Sequence, residues 1–361
     1  MLKRELGYCL IGLACGVAPL LGPGAADAAP AGPYLPGIRP LGMGNAFVAV
    51  SDDRNALHYN PAGLANVKHW SLSGIGIFGG VDDEFFDVVN FIEDNQEKFS
   101  DVDSIDQEFV DSLAPYDDRW VATDANAYMD FTRHNMGVGA YSTGRLQFKI
   151  DRGVYEPRVK FNVSDDMVGI AGVGFDLGHY DLRAGGAIKA IWRRETERNL
   201  TAREVADFDP RDVLDDLAGS KAGFAVDLGT YWRPEESKIT AAAVVRNLGV
   251  IDGEGLAAEM HLGSSYTLFE SPGFIRRVLV AADLADVFSE EAFGNKIHLG
   301  GEVSARVLSF RAGFNQGYPS VGASINARVF VIDYAFFGRE LGAFPGSEGQ
   351  YLHAAEVRIG F

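Results

Sequence analysis

From Trp70 onward, apolar side chains recur at every second position, and this period restricts the fold more than any other feature of the chain. In the stretch from Asn295 to Arg306, Ile297, Leu299, Gly301, Val303 and Ala305 alternate with Lys296, His298, Gly300, Glu302, Ser304 and Arg306. Leu308, Phe310, Ala312 and Phe314 alternate in the same way with Ser309, Arg311, Gly313 and Asn315. Further upstream, Leu182, Ala184, Gly186, Ile188, Ala190 and Trp192 face away from Asp181, Arg183, Lys189 and Arg193. One face is apolar and the other carries the charges, as befits a strand between two different surroundings.

About fourteen such segments can be counted. They span 69–80, 120–132, 135–150, 166–178, 180–195, 222–233, 238–247, 258–269, 274–286, 295–306, 308–316, 319–326, 328–338 and 351–361. The links between them alternate in length. Long ones cover 81–119, 151–165, 196–221, 248–257, 287–294 and 339–350, whereas the others, such as Arg133-His134 or Val307, are a few residues at most. A meander with short turns at one end and long loops at the other is the pattern of a membrane barrel. A soluble sandwich has less reason to segregate its loops by length. The expected fold class is all-β, a transmembrane antiparallel β-barrel of about fourteen strands.

Composition agrees. The 361 residues include 43 glycines and 24 phenylalanines, a mixture suited to strands and tight turns. No run after the first 30 residues suits a transmembrane helix, so a membrane role falls to strands. The net charge of −18 argues against nucleic acid as a partner, because phosphates require Lys and Arg.

The first residues read as a secretory signal. Lys3 and Arg4 precede an apolar run from Tyr8 to Leu21, and Ala26-Asp27-Ala28 supplies a small-x-small cleavage site after Ala28. Gly12 stands where a lipobox requires a large aliphatic residue, so Cys15 is not read as a lipid anchor. Cys9 and Cys15 are the two cysteines of the chain, and both fall in this leader. A mature chain without cysteine has no disulfide scaffold, thiol nucleophile or cysteine metal site. No metal or cofactor is expected.

The acidic excess is concentrated. The stretch 81–119 holds fourteen Asp and Glu against Lys98 and Arg119, and Phe85, Phe86, Val88, Val89, Phe91 and Ile92 fall at helical spacing. A solvated outer loop with a short amphipathic helix is expected there. Asp101-Val102-Asp103 begins like a calcium loop, but Ile105, Asp106 and Ser112 replace required residues. At the other end, Tyr351, His353, Ala355, Val357, Ile359 and Phe361 share one strand face. Val357, Ile359 and Phe361 resemble the β-signal read by bacterial barrel-assembly machinery, which makes that machinery an expected partner.

Ahead of the first strand stands the sequence RPLGMGNAFVAVSDDRNALHYNPAGLANV, from Arg39 to Val67. Its Gly42-Met43-Gly44, Ala46–Val50, Asp52-Asp53 and Asn60–Leu64 resemble the N-terminal signature of the FadL-like superfamily of outer-membrane barrels. That superfamily includes fatty-acid and hydrocarbon transporters and PorV- and TraF-like proteins of secretion and conjugation systems. FRAGFNQG at 310–317 and VIDYAFFGRELG at 331–342 are similar as well. The resemblance implies residence in the bacterial outer membrane and a hatch folded into the barrel from the periplasmic side. The expected layout is a signal peptide over 1–28, a hatch over 29–68 and a barrel over 69–361. Asn60 can cap a helix that starts at Pro61, with Ala62 behind it. Gly42, Gly44 and Gly63 permit tight backbone paths.

Two functions follow as expectations. One is passive uptake of hydrophobic small molecules such as long-chain fatty acids, gated by the hatch. Val329, Val331, Asp333, Ala335 and Phe337 oppose Phe330, Ile332, Tyr334 and Phe336, and a strand apolar on both faces does not suit a water-filled pore. The other is a non-transporting adaptor that receives a secreted protein. Charges at Lys189, Asp227, Lys296, Glu302, Arg311 and Asp333 are candidates for a salt-bridged lumen, along with Arg183, Arg193, Lys238, Arg246 and Glu356. An enzyme has little support, since His-Glu-x-x-His and Gly-x-Ser-x-Gly are missing and the seven histidines are scattered.

Overall fold

A computed structural model gives the arrangement of the chain. It describes residues 37–360 apart from 69, 83–84, 96–97, 99–105, 118–119, 153–156, 179, 202–203, 205–218, 235, 328, 342–343 and 348. The expected signal peptide, the calcium-loop-like triplet and Phe361 lie outside the described residues.

Fourteen long strands follow one another in chain order. They are β1 (Ser71–Asp82), β2 (Val121–Arg133), β3 (Met136–Asp151), β4 (Arg158–Asp176), β5 (Leu182–Thr201), β6 (Lys221–Trp232) and β7 (Ile239–Ile251). The second half is β8 (Glu259–Glu270), β9 (Ile275–Leu284), β10 (Ile297–Ala305), β11 (Leu308–Asn315), β12 (Tyr318–Asn326), β13 (Phe330–Glu340) and β14 (Gly349–Gly360). Each pairs antiparallel with its chain neighbours, and β14 pairs with β1, from Ser73↔Gly360 to Asp82↔Leu352. The sheet is therefore a closed barrel without a free edge. A two-residue ladder, Glu254–Gly255, folds back on the end of β7.

Alternation sorts the side chains as the sequence requires. On β10, Leu299 (44% exposed) and Val303 point outward, while His298 and Glu302 are buried within. Outward positions elsewhere carry Met129, Val173, Ile188, Phe224 and Phe310, an apolar belt of the kind a bilayer covers.

Two strands outrun the sequence reading. Residues 158–165 and 196–201 were expected to be loop, yet they extend β4 and β5 to 19 and 20 residues. Backbone pairing needs no apolar alternation once a strand stands clear of the bilayer, so Lys160, Asn162, Glu195 and Glu197 pair as well as valines would. Outward positions on this tall wall change character with height. Above Met167 and Trp192 comes an ion pair of Asp165 with Arg194, with Ser142 donating to Asp165 at 2.7 Å. Higher still, Phe148, Ile150 and Val159 are apolar and buried again.

Helices α3 (Phe85–Asp94) and α4 (Gln107–Ser112), from the β1–β2 loop, cover that upper patch through Val88, Phe91, Phe109 and Leu113. Phe85 meets Phe148 edge-on at 5.9 Å. The acidic loop thus carries the expected helix, but packs it on the outside of the wall.

The short turns, such as His134-Asn135 and Arg306-Val307, all lie at the end where the chain enters β1 and leaves β14. Between α1 (Ile38–Gly42) and β1 runs a compact insert with α2 (Ala56–Tyr59) and a 3-10 helix, Pro61–Asn66. The 3-10 helix packs on β3, β4, β5 and β6, whereas α1 packs on β11, β12, β13 and β14. A segment of this size touches opposite walls only from inside the barrel. Its large apolar residues Ile38, Phe47, Leu57 and Leu64 are fully buried there.

Candidate functional site

The insert turns at Asn60. This residue is extended, at φ −157° and ψ 104°, and its Oδ1 accepts from the Ala62 N–H at 3.1 Å. Pro61 follows at the first helical position, where a missing N–H costs nothing. The Asn60 Nδ2 donates to the Thr230 carbonyl on β6 at 3.1 Å and to the Val48 carbonyl at 3.3 Å. One side chain therefore joins the turn, the other half of the insert and the wall. Gly44 has φ 61°, and a Cβ there would strike the carbonyl oxygen of Leu299. The wall answers with Gly300 and Gly313, which would clash with Met43 if they carried a side chain. Gly42 likewise lies against Gly322, and Gly63 against the backbone of Ser51.

Charges lock the first half of the insert. Arg39 donates to both oxygens of Glu302 on β10, at 2.7 and 2.8 Å, and to Asp52 and Asp53 at 2.9 and 2.6 Å. Arg277 on β9 bridges Asp52 and Glu302, and Arg311 on β11 donates to Glu302 at 2.8 Å. The Glu302 side chain is 1% exposed and serves three guanidinium groups. Such a cluster is tolerable inside a barrel because each charge has an opposite partner in hydrogen-bond geometry. Arg311 also reaches Asp333 at 3.4 Å, and Asp333 accepts from Ser324.

Backbone groups of the same half are held too. Asp283 on β9 accepts from the Phe47 and Val48 N–H groups at 2.6 and 2.8 Å. The Gly44 carbonyl lies 3.0 Å from His298 Nδ1. Ser265 on β8 donates to the Ala49 carbonyl at 3.0 Å.

The second half is seated differently. Leu57, Leu64 and Val67 belong to one buried cluster with Tyr128, Tyr141, Ile170 and Ile191 of the wall. Arg54 lies 3.7 Å over the Tyr128 ring and pairs with Asp130 and Glu356 at 3.3 and 3.5 Å. His58 meets Tyr141 edge-on, and burial with Arg54 and Lys189 nearby holds its imidazole well below the usual range. Beyond it, Lys189 pairs with Asp227 at 2.8 Å and donates to Asn247 at 2.9 Å.

Where the insert runs into β1, a cavity of about 550 Å3 opens at the short-turn end. Arg39, Arg277, Glu302, Arg311 and Asp333 reach it from one side and Arg54 and Glu356 from another. Val67, Trp70 and Val331 complete its apolar part.

The charged residues singled out from sequence thus fall into separate groups. Glu302, Arg311 and Asp333 meet in one network, and Lys189 and Asp227 in another. Lys296 joins neither. It sits at the long-loop end before β10, and its ammonium donates to the Val287 and Ser289 carbonyls at 3.3 and 2.5 Å. Lys238 is exposed at a short turn and donates to the Leu268 carbonyl, so its expected lumen position is corrected. Both stand at strand ends, where alternation no longer tells inside from outside. In β14, Val357 points outward, and Ile359 pairs with Ile75 and Phe330 across the closure.

Sequence reading missed Arg39, Asp283 and His298, as well as the glycines that receive the insert. The doublet Gly300-Gly301 within a strand was the available signal, since an interior glycine often marks close backbone approach.

No protein-family model and no curated protein matches the sequence. Solved structures do match in shape. The crystal structure of the Pseudomonas putida toluene transporter TodX is 10% identical, with a TM-score of 0.50, over 92% of this chain and 99% of that one. The CymD monoaromatic hydrocarbon channel is 10% identical, with a TM-score of 0.47, over 89% of this chain and 96% of that one. At such identity the likeness to TodX is one of fold.

Proposed function

We propose that the chain is an outer-membrane channel for hydrophobic small molecules, long-chain fatty acids among them, with residues 38–67 as its gate. The observation that carries the reading is the character of the lumen wall. A water-filled barrel lines its interior with polar side chains. Here Ile170, Ile191, Val244, Phe337 and Leu352 point inward from β4, β5, β7, β13 and β14 and are buried in clusters shared with the insert. If the insert moves, those surfaces become available to an apolar solute. The description of TodX as a toluene transporter accords with this class. In the same reading Val357, Ile359 and Phe361 form the assembly signal, and the short-turn end faces the periplasm.

Conductance and uptake of a hydrophobic solute by reconstituted vesicles provide the test. Deleting residues 42–66 is expected to raise both well above the intact protein. A deletion that changes neither removes the gate from the reading. The helical cap on the tall wall favours a second reading, because it offers a partner protein a folded surface beyond the bilayer. A secreted protein that co-purifies, with no extractable lipid, would put this adaptor role first.

A further inference from the structure

The cavity at the short-turn end has a charge opposite to that of the whole molecule. The chain carries −18, yet seven cationic side chains and five carboxylates line this space, an excess of two positive charges. All five carboxylates are already engaged. Glu302 is shared by three arginines, Asp52 by Arg39 and Arg277, and Asp53 is held by Arg39. Asp333 is held by Arg311 and Glu356 by Arg54, while Asp130, next to Arg54 but outside the lining, is paired with it as well. The cations left over lie at the rim. Lys68 and Arg276 are exposed, and Arg358 reaches Asp333 only at 3.9 Å. Deeper in, Arg54 Nη1 is buried and has an ion partner but no hydrogen bond.

Such a rim differs from a solvated basic surface in two ways. Its cations converge on a concave space, where low-dielectric walls strengthen their field. The same wall presents Val67, Trp70 and Val331, so an apolar chain has a surface beside the charges. We propose that this vestibule binds the carboxylate of an amphipathic acid, with the head on Lys68, Arg276 and Arg358 and the tail along Val67, Trp70 and Val331. An arginine fork suits a carboxylate, and exposure at the rim keeps the interaction weak enough for release. The site rests on the channel reading only for its role, as the last station before the periplasm.

Trp70 lines the cavity and can report on it. The four tryptophans are reduced to this one by Trp120→Phe, Trp192→Phe and Trp232→Phe, with circular dichroism to confirm the barrel. In a non-ionic detergent, a brominated ten-carbon carboxylate and the matching brominated alcohol are titrated as quenchers. The carboxylate is expected to bind about tenfold more tightly than the alcohol at low salt. That preference should shrink as salt screens the rim, and vanish in Lys68→Gln/Arg276→Gln. Equal affinity for acid and alcohol, or a double variant that keeps the preference, overturns the site. Inorganic phosphate that displaces the carboxylate at equal concentration overturns the amphipathic assignment in favour of a simple anion site. Acid binding with these dependences, alongside vesicles that take up no hydrophobic solute, leaves the site standing and removes the channel.

Discussion

The two halves of the internal segment are held in one barrel by different physics. Residues 38–53 set several polar groups on partners of β8–β10: Arg39 on Glu302, Phe47 and Val48 on Asp283, Gly44 on His298, Ala49 on Ser265. Residues 54–67 keep one charged anchor, Arg54 on Asp130 and Glu356, and otherwise present Leu57 and Leu64 to an apolar wall, while both ring nitrogens of His58 and the Asn66 amide nitrogen lack a hydrogen-bond partner among the described residues. Directional bonds fix the register of the first half and fail together when the geometry shifts. Apolar contact tolerates sliding and carries no register. The second half is also tethered covalently, since Val67 leads almost directly into β1.

This contrast can be broken at its strongest point by Glu302→Gln. Three guanidinium groups would lose their shared anion, at a cost of about 3–5 kcal/mol for a broken buried pair. Limited proteolysis within residues 38–53 should accelerate sharply, and the barrel itself should persist. Unchanged protection would mean that the ion cluster does not hold the insert. Leu64→Ala probes the apolar half, with an expected loss near the lower end of the ~2–5 kcal/mol range for a buried leucine. Its effect should be indifferent to salt, whereas raised salt should loosen the first half further. A salt-dependent Leu64→Ala would erase the distinction between the halves. Asn60→Ala cuts the joint between them, through a lost cap and two lost donations, and a cap of this kind contributes about 0.5–2 kcal/mol. A small rise in open-state conductance is the expected readout, below that of Glu302→Gln.

Much of the barrel was legible in the sequence. Each of the fourteen expected segments overlaps one of the long strands, and Leu299, Val303 and Ile188 face outward as their alternation requires. The failures have local causes. Thr196–Thr201 is polar on both faces apart from Leu200, so the alternation that marks a half-buried strand is absent there, whereas residues 158–165 do alternate through Val159, Phe161 and Val163, and the sequence reading ends the strand short of a signal that is present. Lys238 is read into the lumen by extending alternation to a strand end where it is exposed, whereas Lys296 is buried and only lacks a place in either ion network. The helix at 85–94 was visible in its spacing, but nothing in that spacing could say which surface it would cover.

The sequence by itself determined parity: which side chains of each strand face in and out, where the turns fall, and that a glycine-rich segment with a capped Asn-Pro turn precedes the first strand. Those are short-range properties, set by the two-residue repeat and by backbone preferences at single positions. Only the tertiary structure decided who meets whom inside. Arg39 and Glu302 are 263 residues apart, and Asp283 lies 236 residues from Phe47. Their encounter depends on the closure of β14 on β1 and on the stagger of every intervening strand. No local pattern encodes that sum, because a shift of one pair of residues in any register preserves the alternation and changes every partner across the lumen.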